Sequence, residues 1–323
     1  MMRLLRAEVA RLLNRRFTLA ALLGLLAGIA VFQIAVFVAA SPPDPAEVAE
    51  NRARFEYALA EWQEDHDEYV QRCVDQGGTP QICAANWPQP QAEDYGLEAT
   101  PFDEIGEVAA LLAVLMTALT LFVLAASFIG AEFTTGAIAN WLSFVPRRGA
   151  VFAAKLVAIV IFTVVVSALA SALTLGVAAL ISVGHGGELS TLGEHVGTVA
   201  RGLLVVTIIA VLGFCAGLVT RHTAAALGVL LGYLLLWVLR NGILQNAAWA
   251  QRLTPWSAEG NLSAILGNGH AYSIPEQRLT DRGLETEFLE RTLSLPAGLL
   301  YWAVVLTVVV TGSVLIFRRR DVG

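Results

Sequence analysis

The 323-residue chain reads as an all-α polytopic membrane protein with six transmembrane helices. Three observations predict that class. Apolar residues make up 56% of the chain and charged residues only 15%, where a soluble domain carries roughly a quarter charged. Mean hydropathy is +0.63. The apolar residues also gather into six separate runs, each long enough to cross a hydrocarbon core about 30 Å thick. A soluble enzyme, a disordered chain and a collagen are excluded on composition. A nucleic-acid partner is excluded by a net charge of −6, since such proteins present basic surfaces.

The runs are Phe17–Ala40, Val108–Gly130, Val151–Val183, Gly202–Thr220, Thr223–Leu239 and Ala297–Phe317. None carries Asp, Glu, Arg or Lys at its middle, and Lys155 lies near one end of the third. The first has a basic front, but its 24 residues exceed the 7–15 of a signal-peptide core, so it is expected to stay as an anchor. The domain plan follows: a helix over 1–16; spans at 17–40, 108–130, 151–183, 202–220, 223–239 and 297–317; loops at 41–107, 131–149, 184–201 and 240–296; and a tail at 318–323.

Charge orients the plan. The N-terminus, the loop after the second span with the adjoining start of the third, the loop after the fourth span, and the tail together hold 12 basic residues against three acids, Glu8, Glu132 and Asp321. The opposite side holds 9 basic and 24 acidic residues. The positive-inside rule then puts both termini in the cytoplasm. Twenty Arg beside one Lys suggest a bacterium with a GC-rich genome, and hence its plasma membrane.

Residues 3–16 carry Leu5, Val9, Leu12 and Leu13 on one helical face with Arg3, Arg6 and Arg11 away from it, the pattern of a helix lying along a membrane surface. The first outer loop is expected to be a small helical domain. Phe55, Leu59, Trp62, His66, Tyr69 and Cys73 recur at spacings of four and three, a narrow helical seam set among acids, which should pack on the returning chain. Cys73 and Cys83 flank Gly77-Gly78-Thr79-Pro80. That turn can bring them together, and an oxidising outer side allows a disulfide; two free thiols are the alternative. His66 between Asp65 and Asp67 lacks a convincing metal-ligand set. Cys215 lies mid-span, as a small packing residue. In the last outer loop, residues 241–268 are too apolar for a free loop and are broken by Pro255, so short re-entrant helices are expected. Residues 276–293 are expected to form a polar helix.

Between the second and third spans, Phe133, Ala137, Ile138, Trp141, Leu142 and Val145 fall on one helical stripe, which predicts an amphipathic helix closed by Pro146 and followed by Arg147 and Arg148. A Glu, a Gly four residues on, a Pro-Arg turn and a Lys opening the next helix stand here as Glu132, Gly136, Pro146, Arg147 and Lys155. With six spans, the basic amphipathic start and the Arg319-Arg320-Asp321 tail, the whole chain resembles the permease subunit of a type-2 ABC exporter.

That resemblance implies two permeases, as a homodimer or with a homologous second permease, working with two ATPase subunits. Glu132, Phe133, Gly136, Ile138, Trp141, Leu142, Pro146, Arg147 and Arg148 would be the coupling element that docks in the ATPase. ATP and Mg²⁺ would be bound by that partner, with no cofactor, metal or catalytic residue in this chain. Three pairs of glycines at GxxxG spacing, Gly24 and Gly28, Gly213 and Gly217, Gly228 and Gly232, permit close helix approach. Packing within the chain is the first reading of these pairs. The resemblance adds a dimer contact at Gly24, Gly28, Gly228 and Gly232.

Absences point the same way. The sequence has no P-loop motif to cradle ATP, no zinc-protease motif, and no mid-span carboxylate pair of the kind that marks proton pathways. The expected function is therefore a membrane permease, of the exporter kind, driven by a separate ATPase. One rival is a membrane-anchored sensor that binds a partner through the acidic outer domain. Another is a membrane enzyme built on His185, Glu188, Glu194 and His195, whose short His-Gly-Gly-Glu segment reads more simply as a turn.

Overall fold

The computed structural model describes residues 2–41, 44–97, 100–138, 140, 147–243, 248–280 and 283–319. It is mainly helical: α1 (Met2–Leu13), α2 (Arg16–Ala40), α3 (Pro45–Asp75), α4 (Pro80–Ala85), α5 (Phe102–Thr134), α6 (Arg148–Gly184), α7 (Leu192–Thr220), α8 (Thr223–Val238), α9 (Ala248–Arg252), α10 (Ala258–Leu266) and α11 (Leu295–Arg319). Strands β1 (His270–Thr280) and β2 (Gly283–Leu293) lie between α10 and α11, and short 3-10 or π turns stand at Glu93–Tyr95, Leu239–Ile243 and Thr254–Trp256. Six helices are long and apolar enough to cross a membrane, and they match the six apolar runs. The protein is a multi-pass membrane protein. α5 begins six residues before the expected span, and α7 ten residues before it, because their polar first turns continue the helix beyond the apolar run.

The chain divides into two compact units. The first comprises Met1–Val31, Glu107–Gly176 and Leu192–Gly323. Its core is built on Leu121, Leu124, Phe128 and Ile129 of α5, Phe152 and Ile159 of α6, and Val206, Phe214 and Leu218 of α7, joined by Leu12, Ile265 and Phe317. α5 and α7 are the most enclosed spans, while α2, α8 and α11 leave most of their surface open. Hydrophobicity does not drive such helices together in lipid, so close approach depends on small residues. Gly213 and Gly217 supply it: a β-carbon at either would collide with the α5 backbone, at Phe122 and Ala126 respectively. The hydroxyls of Thr117, Thr174 and Thr207 bond their own helix, as when Thr117 Oγ1 donates to the Ala113 carbonyl at 2.6 Å, which satisfies these donors in an apolar setting.

The other glycine pairs behave differently. Gly28 faces the Met116 side chain, but Gly24, Gly228 and Gly232 have open space around them. Packing within the chain is therefore not the role of the α8 pair, contrary to the first reading. α8 turns Leu231, Leu235 and Leu236 outward with it.

Short helices occupy the last loop as expected. Ser257 caps α10, accepting from Gly260 N at 3.1 Å, and buried Asn261 donates to the carbonyls of Pro255 and Ser257 at 2.9 and 2.8 Å. The polar helix expected over 276–293 is not formed. Residues 270–293 make an antiparallel hairpin instead, with His270 opposite Leu293 and Thr280 opposite Gly283. Thr280, Thr286, Phe288 and Thr292 favour strands, and the matching partner lies immediately beside them in sequence. The fold is thus α-helical with one β-hairpin rather than all-α.

The second unit comprises Phe32–Gly106 and Val177–Thr191. Asp44 caps the 31-residue α3 with a side chain that accepts from Ala46 N, and Pro45 stands at its first turn. Its aromatic seam meets the returning chain. Trp62 Nε1 donates to the Trp87 carbonyl at 3.1 Å, Tyr69 packs edge-on to Trp87 and Phe55 edge-on to Tyr95. Cys73 and Cys83 form a disulfide. His185 lies against Phe37 and Ser41.

Candidate functional site at the charged end of the bundle

α1, the end of α5, the start of α6 and the end of α11 meet at one end of the first unit. α1 presents Glu8 and Leu12 to the bundle, both buried, while Leu13, expected on the same face as Leu12, is exposed. Glu8 and Leu12 stand one helical turn apart, so the inward side of α1 carries a carboxylate.

That carboxylate explains the one lysine of the chain. Lys155 lies two turns into α6 and is fully buried. Its Nζ donates to Glu8 Oε2 at 2.7 Å and lies 2.8 Å from the Glu132 carboxylate on the last turn of α5. Arg11 reaches the same two acids, at 3.3 Å from Glu132 and 3.6 Å from Glu8. Two acids and two bases balance, which is how buried charge is tolerated. The Phe128 ring lies beneath, 4.9 Å from Lys155 Nζ and 5.8 Å from Arg15 Cζ. Arg15 also donates through both terminal nitrogens to the Ser127 carbonyl at 3.2 Å. Burial lowers the Arg15 guanidinium pKa, with the Glu132 charge opposing that shift and the Arg11 charge adding to it.

The cluster continues into the segment expected to be a coupling helix. Phe133 packs on Phe317 and under the Arg221 guanidinium, 5.5 Å away. Arg148 Nη1 donates to the Phe317 and Arg318 carbonyls at 3.3 Å each. Arg147 is exposed, and its carbonyl accepts the first amides of α6. Ile138 is buried in the core with Leu12 and Phe152. Gly136 has φ +69°, a left-handed conformation that ends α5 after Thr134 and that glycine alone adopts freely. Phe133 therefore belongs to α5, and the single stripe expected from Phe133 to Val145 is interrupted at Gly136. Residues 137, 138 and 140 are helical, while Trp141, Leu142 and Pro146 lie outside the described residues.

Glu132, Gly136 and Lys155 are thus brought to one place together with Phe133, Ile138 and Arg148. Sequence reading missed Glu8 and Arg11. Their signal was present: Glu8 is the only acid in a basic segment, and a lysine inside an apolar helix requires a buried partner. Among the described residues no three His, Cys, Asp or Glu side chains form a group able to hold a metal.

Residues 93–323 match the sequence profile of a family described as "Protein of unknown function (DUF2705)". No curated protein matches the chain.

Proposed function

The chain belongs to the DUF2705 family of unknown function, and we propose that it is the membrane-spanning permease subunit of an ATP-driven exporter. In this reading both termini face the cytoplasm of a bacterium, two permease copies pair, and each engages a separate ATPase that binds ATP and Mg²⁺. The short helices α9 and α10 would then lie re-entrant on the outer side. The disulfide-closed α3 unit would also lie outside.

The observation that carries the reading is the buried Glu8–Lys155–Glu132–Arg11 cluster. It ties α1, the end of α5 and the start of α6 into one piece, and Glu132 is itself part of the segment 131–149. A push delivered to that segment would pass to α5 and α6 together, because balanced buried charges resist separation. Such a rigid junction suits force transmission. Nothing in the cluster suits bond chemistry, since its acids and bases are engaged with one another.

Replacing Trp141 and Leu142 with glutamate tests the proposal. The variant is expected to insert normally yet lose its ATPase partner or its transport. Undiminished transport would contradict it. The second reading, a partner-binding sensor, draws on the acidic surface of α3. Deleting residues 46–90 separates the two, because a permease keeps its ATPase and a sensor loses its function.

A further inference from the structure

At the opposite end of the first unit, a cavity of about 730 Å³ opens between the start of α5, the start of α7 and the turn joining α10 to β1. Its size lies within the roughly 300–1,000 Å³ typical of small-molecule sites, but its walls are unusually charged. Glu107 comes from α5, Glu194 and Arg201 from α7, and Asn268 and His270 from the turn and β1.

Charges of both signs share this cavity without meeting. Among the described residues, Glu107, Glu194 and Arg201 form no ion pair. The guanidinium is held in place instead by neutral groups. Its Nε donates to the Leu266 carbonyl at 2.8 Å and its Nη2 to Thr198 Oγ1 at 3.2 Å. The remaining nitrogen, Nη1, stands 3.4 Å from where a β-carbon on Gly197 would sit. Glycine at 197 keeps that side clear, and Gly193 has nothing within 4 Å of its own missing β-carbon. Asn268 at φ +58° and Gly269 at φ +141° fold the opposite wall back over the cavity. A fixed cation, separated carboxylates and the space between them are the features of a site that waits for a bridging ligand, because a pre-positioned donor loses little entropy on binding.

We propose that this cavity binds a zwitterion. An anionic oxo group would be taken by Arg201 and His270, and a primary ammonium by Glu107 and Glu194. Phosphoethanolamine has this chemistry. It occurs both as a free solute and as the headgroup of phosphatidylethanolamine. The cavity rim favours the lipid: Leu111 lines the wall, and Val108, Leu111 and Leu115 form an outward apolar track along α5 that acyl chains could follow. The proposal does not depend on the exporter reading.

The test is calorimetric titration of the delipidated full-length protein in detergent with phosphoethanolamine, inorganic phosphate and phosphocholine. Phosphoethanolamine is expected to bind at least tenfold more tightly than phosphate. It should also exceed phosphocholine, whose quaternary nitrogen donates no hydrogen bond. The Glu107→Gln/Glu194→Gln variant, altering two exposed side chains, should melt like the parent and lose about tenfold or more in affinity for phosphoethanolamine alone. Gly197→Leu, which fills the space beside Nη1, should abolish binding. Native mass spectrometry before delipidation identifies the source. Retained phosphatidylethanolamine that the double variant sheds marks the lipid, and its absence marks the free solute. No binding of phosphoethanolamine, or equal binding of phosphoethanolamine by parent and double variant, would overturn the proposal.

Discussion

Lys155 is the residue on which most of the charged end depends. Removing one partner of a buried ion pair leaves the other charge stranded and costs about 3–5 kcal/mol. Lys155→Ala leaves Glu8 and Glu132 sharing Arg11 as their base, so a clear fall in detergent melting temperature is expected. Combining it with Glu8→Gln should recover much of that loss, since Arg11 then faces Glu132 alone. A double variant as unstable as the single one would show that the lysine acts by packing instead. Gly136 makes a smaller claim. Its β-carbon would meet no neighbour, so Gly136→Ala pays only for left-handed backbone, about 1–2 kcal/mol. A larger loss would place a contact there that the described residues do not show.

Among the elements, α5 and α7 approach closely at two glycines. A side chain at Gly213 or Gly217 would strike backbone rather than a movable side chain. Gly217→Leu is therefore expected to prevent a stable fold, while Gly228→Leu, at an open position, should leave the melting temperature of the monomer unchanged. Parallel thermal melts check the contrast. In the second unit, the disulfide closes a separation of 10 residues, which chain entropy values at about 2.7 kcal/mol. Cys73→Ser should lower the stability of the α3 unit by that order and leave the first unit intact, measured by hydrogen exchange on each. Which of these features could be read from sequence follows from physical range. The spans, the α3 seam and the Cys73–Cys83 bridge are local patterns of hydropathy and spacing, and they were legible. The Glu8–Lys155 pair joins residues 147 positions apart, and no local pattern names the partner. The β-hairpin was misread because polar composition resembles an exposed helix until the opposite strand is considered.

For the whole molecule, the asymmetry of charge predicts an orientation that can be checked directly. A fluorescent protein fused after Gly323 should mature in the cytoplasm, and a periplasmic reporter inserted in residues 46–90 should be active. The reverse pattern would overturn the placement of both units. Under the proposed function, a protein without a nucleotide-binding motif of its own works through one that has it. The most direct measurement is affinity purification of the tagged chain from its native host in mild detergent, with partners quantified by mass spectrometry. The expected result is a soluble ATPase in equal stoichiometry that is lost from the Trp141→Glu/Leu142→Glu variant. The contradicting result is no ATPase in either sample, with a partner that depends on residues 46–90 in its place.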